Sequence, residues 1–123
     1  MTIKFVREEA DRLLDRLQTI PFERCHILTR KFETIPARPG VYGFRHRRLG
    51  LLYIGKATNI QRRFRNGHKA LGWAFVDRLD PDDVRIVAVV MSHRAWGQVL
   101  DIEARMIQIE RPSYNIVVRQ QED

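Results

Sequence analysis

The chain carries a single cysteine, Cys25, among 123 residues. One thiol makes no intrachain disulfide and no cysteine zinc site, and Cys25 sits in no CxxC pair, so it reads as a buried structural thiol. No stretch approaches 18 consecutive apolar residues, which excludes a membrane-spanning helix. The first residues, Met1-Thr2-Ile3-Lys4, soon run into Glu8, Glu9 and Asp11 and lack the basic-then-apolar layout of a signal peptide. The expected location is therefore cytoplasmic. The most telling scarcity is of acid. From Thr34 to Val76 there is no Asp or Glu, while the same window holds Arg38, Arg45, Arg47, Arg48, Lys56, Arg62, Arg63, Arg65 and Lys69. Those nine cations, set against a net charge of +7, leave the rest of the chain at −2. A basic excess suits nucleic acid or an acidic membrane surface. Its confinement to one segment is what a phosphate-contacting face requires, and a solvated surface that lacks acids is the bland alternative. The four histidines, His26, His46, His68 and His93, show no metal-ligand spacing on any predicted element.

What is present suffices for one packed domain. The hydrophobic fraction is 44%, with Trp, Phe, Ile and Val spread along the chain and no internal repeat. Val6, Ala10, Leu13, Leu14 and Leu17 recur at helical spacing within residues 4–18, with charges on the other face. This amphipathic helix has an apolar stripe to cover, against the domain itself, a second copy in a homodimer or a partner protein. With its connector it takes up residues 1–30, and residues 31–123 read as one globular unit. Residues 41–46 and 50–54 read as two strands of a hairpin turning at Gly50. Thr58 with Gln61 forms a capping-box start for a helix to Asn66, with Gly67 as its stop. Residues 72–80 are ambiguous, offering Trp73, Phe75, Val76 and Leu79 as core anchors. Residues 83–91 centre on the run VRIVAVV, a strand buried on both faces. Ser92 N-caps a helix that stops before Pro112, and residues 114–118 form a last short strand. The fold class is α+β, a small and mainly antiparallel sheet of three to four strands flanked by helices, with an extra N-terminal helix.

One residue breaks a pattern. On a wheel of about 100° per residue, Trp96, Val99, Leu100, Met106 and Ile107 share an arc flanked by Ile102 and Ile109, and Glu103 lands inside it. A carboxylate there costs several kcal/mol unless it is paired or binds a metal. A structural ion pair, for instance with an arginine, and a metal ligand at the sheet edge explain it equally well.

The hairpin reads Gly40-Val41-Tyr42, then Tyr53-Ile54-Gly55. This resembles the two defining triplets of the GIY-YIG nuclease superfamily, with Val for Ile in the first. The second triplet continues as YIGKATNIQRR, similar to the YVGKAxNLxxR run in the N-terminal nuclease domain of the bacterial excision-repair endonuclease UvrC, and Glu103 begins ExxxIxxxxPxYN, similar to that family's last motif. The resemblance spans roughly residues 37–118 and leaves the N-terminal helix unexplained. It implies a metal-dependent endonuclease that hydrolyses DNA phosphodiesters, with functional positions at Tyr42, Tyr53, Lys56, Arg63, Glu103 and Asn115. There is one departure. Where many members have His or Tyr four residues after the arginine, this chain has Gly67, with His68 next. Either the helix end shifts by one residue to present His68, or that role is missing.

The chemistry implied needs an activated nucleophile, charge neutralisation on the phosphoryl oxygens and help for the leaving oxygen. Glu103 is expected to hold one Mg²⁺ (or Mn²⁺) as its only protein ligand, because Mg²⁺ keeps several waters and shares the substrate phosphate. Arg63 offers a planar fork to phosphate oxygens. Lys56 adds a point charge or lowers the pKa of a neighbouring tyrosine. Tyr42 and Tyr53 divide the roles of general base and positioning hydroxyl, and Asn115 locks the site through its amide. Arg45, Arg47 and Arg48 on the hairpin tip, with Arg62, Arg65, His68 and Lys69 beyond, are expected to contact the backbone of a duplex or branched DNA without reading bases. Phe64 and Trp73 are expected in the core. The competing reading is a nucleic-acid-binding module of the same fold that has lost catalysis.

Overall fold

The computed structural model describes residues 3–28, 32–68 and 77–115. The N-terminal amphipathic pattern forms α1 (Ile3–Thr19), which buries Ala10, Leu13, Leu14 and Leu17. A 3-10 turn at Phe22–Arg24 leads to β1 (His26–Ile27). The hairpin is β2 (Gly40–His46) and β3 (Gly50–Ala57), followed by α2 (Ile60–Arg65). A second 3-10 turn at Pro81–Asp83 precedes β4 (Val84–Val90). Two helices follow, α3 (His93–Trp96) and α4 (Val99–Glu110). The sheet runs β1-β4-β2-β3 with antiparallel pairing throughout. β4 lies between β1 and β2 and is buried or half-buried along its length, as its β-branched run requires. No helix among the described residues is long and apolar enough to cross a membrane.

Apolar clusters cover both sheet faces. On one face α1 and α4 pack over Val41, Leu51, Ile54, Val87 and Val89. On the other, Tyr42, Phe44, Leu52, Val84 and Ile86 meet Ile60 and Phe64 of α2 and Tyr114. The apolar stripe of α1 is therefore covered by the domain itself. The hairpin register pairs Phe44 with Tyr53 but Arg45 with Leu51, so Leu52 is an extra residue in β3. Such a bulge interrupts strict alternation. It lets Leu52 and Tyr53 both join the cluster around Tyr42 while Leu51 and Ile54 join the other.

Several expectations are corrected. The cap of α2 is Asn59, whose side chain accepts from the Arg62 N–H, and not Thr58. Gln61 donates instead to the carbonyls of Phe32, Glu33 and Ile35, pinning the connector. The helix after Ser92 is broken: Ser92 caps α3 through the Ala95 N–H, then the chain kinks at Gly97 and Gln98 before α4 begins. The break rephases the wheel, so Val99, Ile102 and Met106 face inward while Leu100 is 69% exposed. Residues 113–115 form a helical turn in place of the start of a strand, and residues 116–118 lie outside the described residues. Trp73, Phe75 and Val76 lie outside them too, whereas Leu79 packs against the second cluster.

Arg45 is also corrected. Expected on a DNA-contacting surface, it is 8% exposed, points to the α1 side of the sheet and donates to the carbonyls of Leu17 and Ile20. The last carbonyls of a helix have no partner within the helix, and this guanidinium satisfies two of them while its charge favours the negative helix end.

Candidate active site

The hairpin triplets place the site at the β3 edge of the sheet. Tyr42 lies opposite Gly55 in the register, and its ring crosses directly over that glycine. A Cβ on Gly55 would sit 2.5 Å from the tyrosine's Cζ and hydroxyl oxygen. The glycine of the second triplet is thus a close-approach glycine. Tyr53 follows the bulge, with its ring centroid 6.2 Å from that of Tyr42.

Glu103 comes from α4 and meets Lys56 of β3, with Nζ donating to Oε1 at 2.9 Å. Its side chain is 16% exposed. The pattern-breaking carboxylate is paired, but with a lysine rather than an arginine, and it keeps a path to solvent. Tyr42 lies within electrostatic reach of Tyr53, Arg63 and Glu103 together. Five of the six predicted catalytic residues therefore converge. Asn115, the sixth, acts from behind. Its Oδ1 accepts from the Ile54 N–H at 2.9 Å and its Nδ2 donates to the Ile54 carbonyl at 2.8 Å. Edge strands carry unpaired backbone groups, and this amide takes the place of a neighbouring strand on β3, between Tyr53 and Gly55.

His68 resolves the departure after Arg63. α2 ends at Arg65, and Gly67 takes a left-handed conformation (φ 86°) that reverses the chain. Arg63 Nη1 donates to the Gly67 carbonyl at 2.8 Å. The reversal brings His68 Nε2 to 2.7 Å from the Tyr42 hydroxyl, inside a ring of Tyr42, Phe44, Tyr53 and Phe64. His68, expected among DNA-contacting residues, is built into the tyrosine cluster. The signal was legible only as the helix-stop glycine before it. Burial first, and then the Arg63 charge, push the His68 imidazole down to about 4, so near neutral pH it is uncharged. Tyr42 is 1% exposed, and burial drives its phenol well above the ordinary range, with Tyr53 and Glu103 adding to the shift against Arg63. Tyr42 is thus protonated, and its hydroxyl is hydrogen-bonded to His68 Nε2.

The other predicted DNA-contacting residues divide. Arg62 and Arg65 are exposed on α2 and Arg48 on the hairpin tip. Arg47 stacks on Phe22 and pairs with Asp83 at 3.2 Å. Lys69 lies outside the described residues. No cluster of three or more His, Cys, Asp or Glu able to hold a metal occurs among the described residues. A lone, largely desolvated carboxylate that already draws a cation to 2.9 Å suits a hard ion that keeps most of its water shell, such as Mg²⁺. It does not suit zinc, which takes three or four protein ligands.

A carboxylate, a guanidinium, an ammonium and two phenols on a small antiparallel sheet make a hydrolytic site of the phosphodiesterase kind. The GIY-YIG catalytic domain profile matches residues 38–115, and the chain belongs to the GIY-YIG nuclease superfamily as a GIY-YIG-type endonuclease domain. Among curated proteins it is 32% identical over 94 residues to the UvrABC system protein C of Chlorobium chlorochromatii, covering 73% of this chain. It is 33% identical over 86 residues to that of Brucella abortus, covering 69% of this chain. The chain spans about 14% of the length of these relatives. Among solved structures, the magnesium-bound GIY-YIG N-terminal endonuclease domain of UvrC from Thermotoga maritima matches 93% of this chain and 98% of its own, at 22% identity and a TM-score of 0.47.

Proposed function

We propose that the domain hydrolyses DNA phosphodiester bonds with one divalent cation, Mg²⁺ or Mn²⁺, held by Glu103. The observation that carries this reading is the convergence of Glu103, Lys56, Arg63, Tyr42 and Tyr53 at one edge of the sheet. The cation, when bound, neutralises phosphoryl oxygens and lowers the pKa of water. The protein supplies the rest. Arg63, held by the Gly67 carbonyl, presents its fork to the phosphate. Lys56 adds positive charge beside Glu103. A general base must reach water. Tyr42 is buried, with its hydroxyl engaged by His68, whereas Tyr53 is only half-buried. Tyr53 is therefore assigned the base role, and Tyr42 with His68 holds Arg63 and Tyr53 in register. The motive for a catalytically silent binding module was the glycine after Arg63, and the placement of His68 on Tyr42 weakens it. Similarity to UvrABC system proteins C supports a duplex or branched DNA substrate in repair and a cytoplasmic location.

The test is Glu103→Gln, which keeps the shape and removes the charge. Nicking of supercoiled plasmid with Mg²⁺ should fall by roughly 10²–10³-fold, with duplex binding in chelator retained. A variant that nicks as fast as the parent overturns the assignment.

A further inference from the structure

Two cations of the acid-free segment, Arg45 and Arg47, are engaged away from the catalytic edge. α1, Pro21 and the Phe22–Arg24 turn form a corner at the tip end of the hairpin, where an open cleft of about 370 Å³ is lined by Arg16, Thr19, Ile20, Pro21 and Arg24. Behind it Arg45 holds the carbonyls of Leu17 and Ile20, and its cross-strand neighbour Arg85 donates to the Phe22 carbonyl at 2.9 Å. The guanidinium carbons of Arg47 and Arg85 lie 4.4 and 4.7 Å from the centroid of the Phe22 ring. Arg45, Arg47 and Arg85 are thereby accounted for as struts. Arg16 and Arg24 are not: both are exposed, and among the described residues neither has a carboxylate within ion-pair distance. Of the acids close by in the chain, Asp83 is bound to Arg47, Glu23 lies in the turn and Asp15 precedes Arg16 on α1.

Resting on the nucleic-acid reading above, we propose that this corner is a second phosphate-contacting surface, taking the backbone of DNA away from the scissile bond. Five arginines gathered at one corner raise the local positive potential, and a polyanion offsets their mutual repulsion. The fixed inner guanidinia hold the corner rigid, and the two outer ones flank a cleft open to a phosphate. From Tyr42 to Arg47 the strand advances roughly 16 Å at about 3.3 Å per residue. Glu103 is bound to Lys56, which pairs with Val41 at the end of the hairpin opposite the Arg47 tip. It therefore engages a flanking stretch or second arm of the substrate rather than the phosphate being cut.

The experiment is duplex binding to the full chain, in chelator so that nothing is cut, across a salt series. It compares the parent, Arg16→Ala/Arg24→Ala and Arg16→Lys/Arg24→Lys, on a long duplex and on one short enough to cover only the catalytic edge. Loss of two phosphate contacts should make the log–log salt slope on the long duplex shallower by ~1.8 in the alanine variant. The lysine variant should restore the slope, and the short duplex should be indifferent. An unchanged slope on the long duplex, or an equal loss on both, overturns the proposal. Because cleavage is not read, the result is independent of whether Glu103→Gln abolishes nicking.

Discussion

Tyr42, His68 and Gly55 form a unit in which each residue explains the next. The phenol is buried, so it needs a partner for its hydroxyl, and His68 supplies one, with the Arg63 charge nearby. The ring reaches them only because Gly55 has no side chain. Gly55→Ala should force the ring aside, and a displacement of about 1 Å at a catalytic centre costs on the order of 10² in rate. Plasmid nicking should fall by that factor while the far-ultraviolet circular dichroism stays unchanged. His68 carries a pH signature. Its ordinary pKa of 6.5 falls to about 4 in the fold, so between these values the unfolded chain binds a proton that the folded chain refuses. Its contribution to stability is full above about 6.5, is lost as the pH falls toward 4, and is constant below that. The difference in urea midpoint between the parent and His68→Gln should shrink over that window, and a difference independent of pH would contradict the assignment. Under the proposed function, Lys56, already bound to Glu103, competes with the cation for it. Lys56→Met should bind Mg²⁺ more tightly in the absence of DNA, read by calorimetry, while cutting more slowly.

Two side chains do the work of whole neighbours at the level of elements. Asn115 stands in for a fifth strand along β3, and Arg45 stands in for the next turn of α1. Both satisfy backbone groups that are otherwise stranded away from water. Asn115→Ala leaves the Ile54 N–H and carbonyl without these bonds and should destabilise the domain by about 1–3 kcal/mol. Arg45→Met removes two charge-assisted hydrogen bonds and should lower stability by about 2–3 kcal/mol. Chemical denaturation reads both. The bulge at Leu52 acts at the same scale, since it sets Tyr53 on the face that Tyr42 already occupies.

Across the whole molecule, α1 lies beyond the matched span of residues 38–115 yet supplies Ala10, Leu13, Leu14 and Leu17 to the core. A chain beginning at residue 33 would expose Val41, Ile54, Val87 and Ile102 to water. It should lose its cooperative melting transition and bind a hydrophobic dye. The helix is thus a wall of the nuclease domain, and its end carries the corner of arginines at the far end of the hairpin.

How much was legible from residues alone follows the range of each signal. The α1 stripe, the hairpin, the buried β4 run and the Ser92 cap are local patterns, set by chain geometry within a few residues, and they lie where the sequence puts them. Glu103 stood out because a carboxylate on an apolar arc breaks such a pattern, and the triplets named the superfamily. The partners depended on contacts distant in sequence. Lys56 meets Glu103 across 47 positions and Asn115 meets Ile54 across 61. The fate of each arginine could not be read from charge, because a guanidinium serves equally as a helix cap, a stacking partner or a phosphate clamp. Arg45 and Arg63 have the same chemistry, and only the packing of α1 on one sheet face and of α2 on the other separates a buried strut from a group beside Tyr42 at the candidate site.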